Sequence, residues 1–114
     1  MITLEKLYEL QNELDELIVA KATDGNIDGN NKMFLNDRII ALFTEVGEFA
    51  NATRCFKYWS NKPQESRERL LDEYADILHF VLSIGNTMEF TPLEIEEAYH
   101  KKYAENIKRQ REGY

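Results

Sequence analysis

The chain has 114 residues, 43% of them hydrophobic and 31% charged, which is room for one domain with a modest core. Acidic residues number 21 against 14 basic ones, and the resulting formal charge of −7 excludes nucleic acid as a sequence-independent partner. A single cysteine, Cys55, excludes an internal disulfide.

The first helix is expected from Leu4, Leu7, Tyr8, Leu10, Leu14, Leu17 and Ile18, which follow helical spacing behind Thr3 as N-cap. Glu5, Glu9, Glu13 and Asp15 interrupt that stripe, so no leader peptide is expected, and no apolar run nears the ~20 residues of a membrane span. With one cysteine and no membrane signal, a reducing, cytoplasmic location is expected. The helix dissolves into "TDGNIDGNN" (23–31), a stretch of turn chemistry in which little is expected to pack. A second helix is expected from about Asn36 to Phe56, broken by "WSNKPQES" (59–66), and a third from about Arg67 to Met88. A fourth begins at "TPLE" (91–94), where Thr91 caps, Pro92 takes the first position and Glu94 completes a capping box, and it runs to about Gln110. No useful strand alternation exists, so the expectation is an all-α, four-helix single domain over 1–114. The second and third helices are apolar over too wide an arc for surface helices and are expected at its centre.

Those central helices carry "EVGE" (45–48) and "EYAD" (73–76). Residues three apart on a helix face the same way, so Glu45 pairs with Glu48 and Glu73 with Asp76. One such pair is ordinarily a solvated face. Two pairs bracketed by apolar residues on consecutive antiparallel helices point to a hard divalent cation, because four anions facing one groove repel strongly without one. All-oxygen ligation suits Mg²⁺ or Mn²⁺. Asp76 and His79 also form a carboxylate-x-x-His pair of the kind used by di-iron bundles. The matching spacing at Glu97 and His100 lacks an apolar bracket, which ranks that chemistry lower.

The stretches "LFTEVGEFANATRCFKYWSNKP" (42–63) and "LLDEYADILHFVLSIGN" (70–86) resemble the dimeric all-α dUTPase family, among the MazG-like NTP pyrophosphatases. The likeness is closest to dUTPases of Gram-positive bacteria and their phages. It extends to "LYELQNELDELI" (7–18) and "YHKKYAENIKRQREGY" (99–114) and so spans nearly the whole chain. The resemblance implies hydrolysis of dUTP to dUMP and pyrophosphate by water attack at the α-phosphate, with Mg²⁺ (or Mn²⁺) as cofactor. It further implies Glu45, Glu48, Glu73 and Asp76 as metal ligands, with Glu45 or Glu48 orienting or deprotonating the water. Lys57 and Lys62, and the Lys102, Asn106 and Arg109 set, match positions that meet the outer phosphates. Trp59, with Phe56, is expected to form a flat wall of the base pocket, and Gln11 and Asp15 match an element near the base.

A carboxylate at position 15 accepts hydrogen bonds only, which suits uracil N3–H but also an exocyclic amine such as cytosine's. A broader dNTP pyrophosphatase acting on dCTP is therefore the alternative activity. A non-catalytic helical interaction module, its acids forming a salt-bridge network, is the alternative of another class. Cys55 is read as a packed small residue, and Gly47 and Gly85 as points of close helix approach. Leu4, Leu7, Leu14, Phe43 and Phe49 cannot all face one thin interior, so a homodimer or a dimer of dimers is expected.

Overall fold

Helix α1 spans Leu4–Thr23, opened by the Thr3 hydroxyl accepting from the Lys6 amide at 3.1 Å. The computed structural model describes residues 1–113; residue 114, inside the single-domain expectation and the family-like C-terminal stretch, lies outside the described residues. Asp24 ends α1 in the left-handed region at φ 53°, returning its N–H to Ala20. A 3₁₀ turn, Lys32–Phe34, leads into α2, Leu35–Thr53. Helix α3 is Arg67–Thr87, capped by the Ser66 hydroxyl, and α4 is Pro92–Glu112, opened by the full capping box between Thr91 and Glu94. No strand occurs among the described residues, so the chain is all-α. No described helix is long and apolar enough to cross a membrane.

Helix α2 stops three residues before its expected end. Arg54 sits at φ 61° and its amide turns back to Ala50 at 3.0 Å, so the polypeptide leaves the helix axis there. This places Cys55 in the following loop, exposed, which corrects its reading as a packed residue. The loop is tied back where the Glu65 amide donates to Ala52 at 3.0 Å.

The stretch between α1 and α2 also packs more than its turn composition suggests. Buried Gly29 donates to Glu16 at 3.1 Å, and its carbonyl accepts from the buried Arg38 guanidinium, which also donates to Thr87 at 2.5 Å. A Cβ on Gly29 would lie 2.8 Å from the Glu16 backbone, so only glycine permits this approach. Arg38 thus joins the loop, α2 and the end of α3. At Gly85 the expected close approach exists: a Cβ would meet the Tyr8 ring at 2.8 Å. At Gly47 it does not, because nothing lies within 4 Å and that face of α2 is open.

Packing is most extensive between α2 and α3, as expected of the central helices; α1 lies on α3, and α4 touches mainly α1. The radius of gyration is 17.5 Å, against roughly 13 Å for a compact chain of this length. Among the described hydrophobic residues only Tyr8, Val19, Ala52 and Leu82 are buried, while Ile40, Phe43, Tyr74 and Tyr103 are more than half exposed. The single chain leaves its apolar faces uncovered.

Candidate active site

Helices α2 and α3 bring Glu45, Glu73 and Asp76 together, with one carboxylate oxygen of each within 4.8 Å of the others. Glu73 is buried, and Glu45 and Asp76 are half-buried. The three-residue spacing on α3 puts Glu73 and Asp76 on one face, and the antiparallel packing of α2 sets Glu45 opposite. Desolvation pushes the Glu45 carboxyl above its usual range, and the charges of Asp76, Glu73 and Glu48 push it further. Glu48 is exposed on the next turn and does not join the close set, yet it is near enough for its charge to act on Glu45. The Arg69 guanidinium reaches in from α3, 2.7 Å from Glu73, and half of it remains in solvent. The donor set is all oxygen, anionic and crowded, which fits a hard divalent cation.

The loop after α2 holds the other family-matched residues in the open. Trp59 is 64% exposed and stacks edge-on against Phe56 and Tyr58, with ring centroids 6.0 and 5.2 Å away. Phe56 is exposed too, so neither ring is core. Lys57 Nζ lies 5.7 Å over the Phe56 ring, and the Lys62 amide donates to Ser60 Oγ at 3.2 Å. Arg54 also donates to Ser60, at 2.8 Å, while its buried Nε has no partner.

The chain alone does not bring Lys102, Asn106 and Arg109 to the carboxylates. Helix α4 packs mainly on α1, and Lys102 and Arg109 instead flank Glu105 at 3.6 and 3.1 Å. Asn106 is exposed beside them.

Gln11 and Asp15 are buried between α1 and α3 in a network that the sequence did not announce. Gln11 Nε2 donates to Asp15 Oδ1 at 3.0 Å, and the Ser83 hydroxyl donates to Asp15 Oδ2 at 2.7 Å. His79 Nδ1 lies 2.5 Å from Gln11 Oε1. The spacing of Gln11 and Asp15, four apart, signals a shared helix face; nothing in it names Ser83 as their partner. His79 is engaged by Gln11 through Nδ1. Beside this network lies a groove of about 300 Å³ lined by Leu7, Leu10, Gln11, Leu78, His79 and Leu82.

Compared with known families, the chain matches the sequence model described as dUTPase over residues 3–94. No curated protein and no solved structure gives a significant match.

Proposed function

The chain belongs to the dUTPase family, and on that premise we propose that it hydrolyses dUTP to dUMP and pyrophosphate with Mg²⁺. The observation that carries the reading is the convergence of Glu45, Glu73 and Asp76 within 4.8 Å, inside the matched segment. Three carboxylates so close, one of them with its proton affinity raised by desolvation and then by its acidic neighbours, are a donor set that a cation relieves. Glu45, Glu73 and Asp76 would hold Mg²⁺, or Mn²⁺ in its place, with Glu48 joining from the adjacent turn. When bound, such a cation supplies charge neutralisation for phosphate oxygens and acidifies water at the site.

The chain's own residues do the remainder. Glu45, whose proton affinity is already raised, orients the attacking water and takes up its proton. Lys57 and Lys62 draw the outer phosphates towards the loop, where Trp59 offers a flat apolar face to the nucleoside. Gln11 and Asp15 frame the base on the α1–α3 side. Lys102, Asn106 and Arg109 meet the phosphates once α4 is brought over a cluster, which a homodimer or a dimer of dimers provides. Assembly also covers the apolar faces that the single chain exposes.

The test is pyrophosphate release over a panel of dNTPs with and without Mg²⁺. The expected result is turnover of dUTP that EDTA abolishes. Equal turnover of dCTP would instead make the enzyme a broader dNTP pyrophosphatase. No release from any dNTP with either Mg²⁺ or Mn²⁺ would overturn the reading in favour of a non-catalytic module.

A further inference from the structure

Residues 54–66 join α2, which carries Glu45 and Glu48, to α3, which carries Glu73 and Asp76. This loop therefore stands at one end of the helix pair that forms the carboxylate cluster. Apolar burial does not hold it in shape, because Phe56, Tyr58 and Trp59 are all more than half exposed. Hydrogen bonds do. Two successive turns carry the chain from Arg54 to Ser60: the Lys57 amide donates to the Arg54 carbonyl at 3.1 Å, and the Ser60 amide to the Lys57 carbonyl at 3.1 Å. The Arg54 side chain then closes the ring, its Nη2 donating to Ser60 Oγ at 2.8 Å. Its Nε is buried, so the side chain reaches Ser60 beneath the surface and not through solvent.

Ser60 Oγ also accepts from the Lys62 amide at 3.2 Å. A hydroxyl oxygen has two lone pairs, and these two donors use both. One atom thus ties the chain before Trp59 to the chain after it. The root of this latch is rigid. Arg54 lies at φ 61°, and its amide is held by Ala50 at 3.0 Å and by Asn51 at 3.2 Å. That backbone conformation favours glycine, so what arginine adds at this position is its side chain. A guanidinium donating to a hydroxyl oxygen makes a charge-assisted hydrogen bond, stronger than those between the neutral groups of the loop.

We propose that Arg54 is a positioning residue: through Ser60 it holds the loop in the conformation that presents Lys57, Trp59 and Lys62 to the nucleotide. The inference rests on the dNTP-hydrolase reading and goes beyond it, giving a task to two residues outside the set that meets the substrate. A loop already in its binding conformation loses less freedom when the substrate arrives. The latch therefore acts on binding and not on the chemical step, and its signature is a change in KM with little change in kcat.

Trp59 is the chain's single tryptophan, so its fluorescence reports the loop independently of turnover. The experiment measures time-resolved Trp59 anisotropy, which separates local motion from tumbling, together with kcat and KM for dUTP. The proteins are the wild type, Arg54→Gly, Ser60→Ala, Ser60→Thr and the double variant Arg54→Gly/Ser60→Ala. Arg54→Gly and Ser60→Ala are each expected to free Trp59 and to raise KM about tenfold, with kcat within about threefold. Ser60→Thr keeps the hydroxyl and should match the wild type. The double variant should be no worse than Ser60→Ala, because both changes remove the same bond. A raised KM in Arg54→Gly with Trp59 unchanged overturns the inference and places Arg54 on the substrate itself. A freed Trp59 with KM unchanged also overturns it, since the shape of the loop would then not matter to binding. A wild type without dNTP turnover removes the activity reading; the latch then stands if Arg54→Gly frees Trp59 and falls if it does not. Should Arg54→Gly fail to fold, the two Ser60 variants decide, and the inference fails if they behave alike in both measurements.

Discussion

Arg69 and Glu73 form an ion pair at 2.7 Å in which the carboxylate is buried and the guanidinium is half in solvent. Arg69 also lies 3.4 Å from Asp72, so one cation serves two acids at the rim of the carboxylate cluster. It offsets part of the repulsion that Glu45, Glu73 and Asp76 would otherwise share. Arg69→Gln should lower the melting temperature of the metal-free protein by about 4–8 °C, corresponding to roughly 1 kcal/mol. Mg²⁺ should recover most of that loss by taking over the charge. Thermal melts with and without Mg²⁺ test this, and an equal deficit in both would count against a shared cation site.

Glu45 gives the apo protein a pH dependence whose sign follows from its environment. Its carboxyl is raised above the ordinary glutamate range by desolvation, then by the charges of Asp76, Glu73 and Glu48. A raised folded-state value means that this group's stabilisation is full below its unfolded value and is lost as pH rises through the folded value. Metal-free protein should gain stability from Glu45 as pH falls into that window, and Glu45→Gln should flatten this part of the profile. The stabilisation by Mg²⁺ should shrink over the same window, because cation and proton compete for one group. Melting temperature against pH for both proteins is the measurement.

Asp76→Ala and Glu48→Ala should each abolish pyrophosphate release, by 10³-fold or more on the order of a lost metal or general-base function. The helical circular dichroism should be preserved, since neither side chain is buried in the core. Turnover that survives in either variant would sink the four-carboxylate mechanism.

Asp15→Asn tests the buried network. Both Asp15 oxygens accept hydrogen bonds, from Gln11 and from Ser83. An amide that keeps its oxygen towards Gln11 turns its N–H₂ to Ser83, whose hydroxyl can accept but must then give up its own donation to Asp15, at a cost of roughly 1 kcal/mol. A drop in melting temperature beyond about 4 °C is expected. A neutral substitution would mean that the two bonds contribute little.

Assembly can be read directly by light scattering. The expected mass is at least twice the 13.4 kDa of the chain, with a melting temperature that rises with protein concentration. A stable, active species of monomer mass would refute it.

The helices were legible because their signals are local. Thr3, Thr91 and the capping box at Glu94 act where they stand, and the paired acids three apart need only helical periodicity to share a face. What the sequence concealed depends on partners distant along the chain. Ser83 reads as a small residue in an apolar run until α1 places Asp15 against it, 68 positions away. Arg38 reads as a surface cation until Thr87 and the Gly29 carbonyl surround it. The early end of α2 is hidden because nothing in the side chain of Arg54 favours its left-handed backbone. Gly47 suggests a packing point in sequence because glycine is often one, yet its face of α2 is open.

Helix α4 begins with both halves of a capping box and Pro92 at its first turn, yet it rests on little besides α1. Its start is specified by its own residues, so its helicity does not wait on a docking surface. A segment of that kind reaches its binding surface as a preformed rod, and the ordering of its backbone is no charge on association. Dilution that separates the copies should therefore leave the far-ultraviolet signal almost unchanged, while tertiary signals from Tyr99 and Tyr103 respond. If copies associate through α4, rigid docking and not folding upon binding is expected, with an association rate that varies little with agents that promote helix formation.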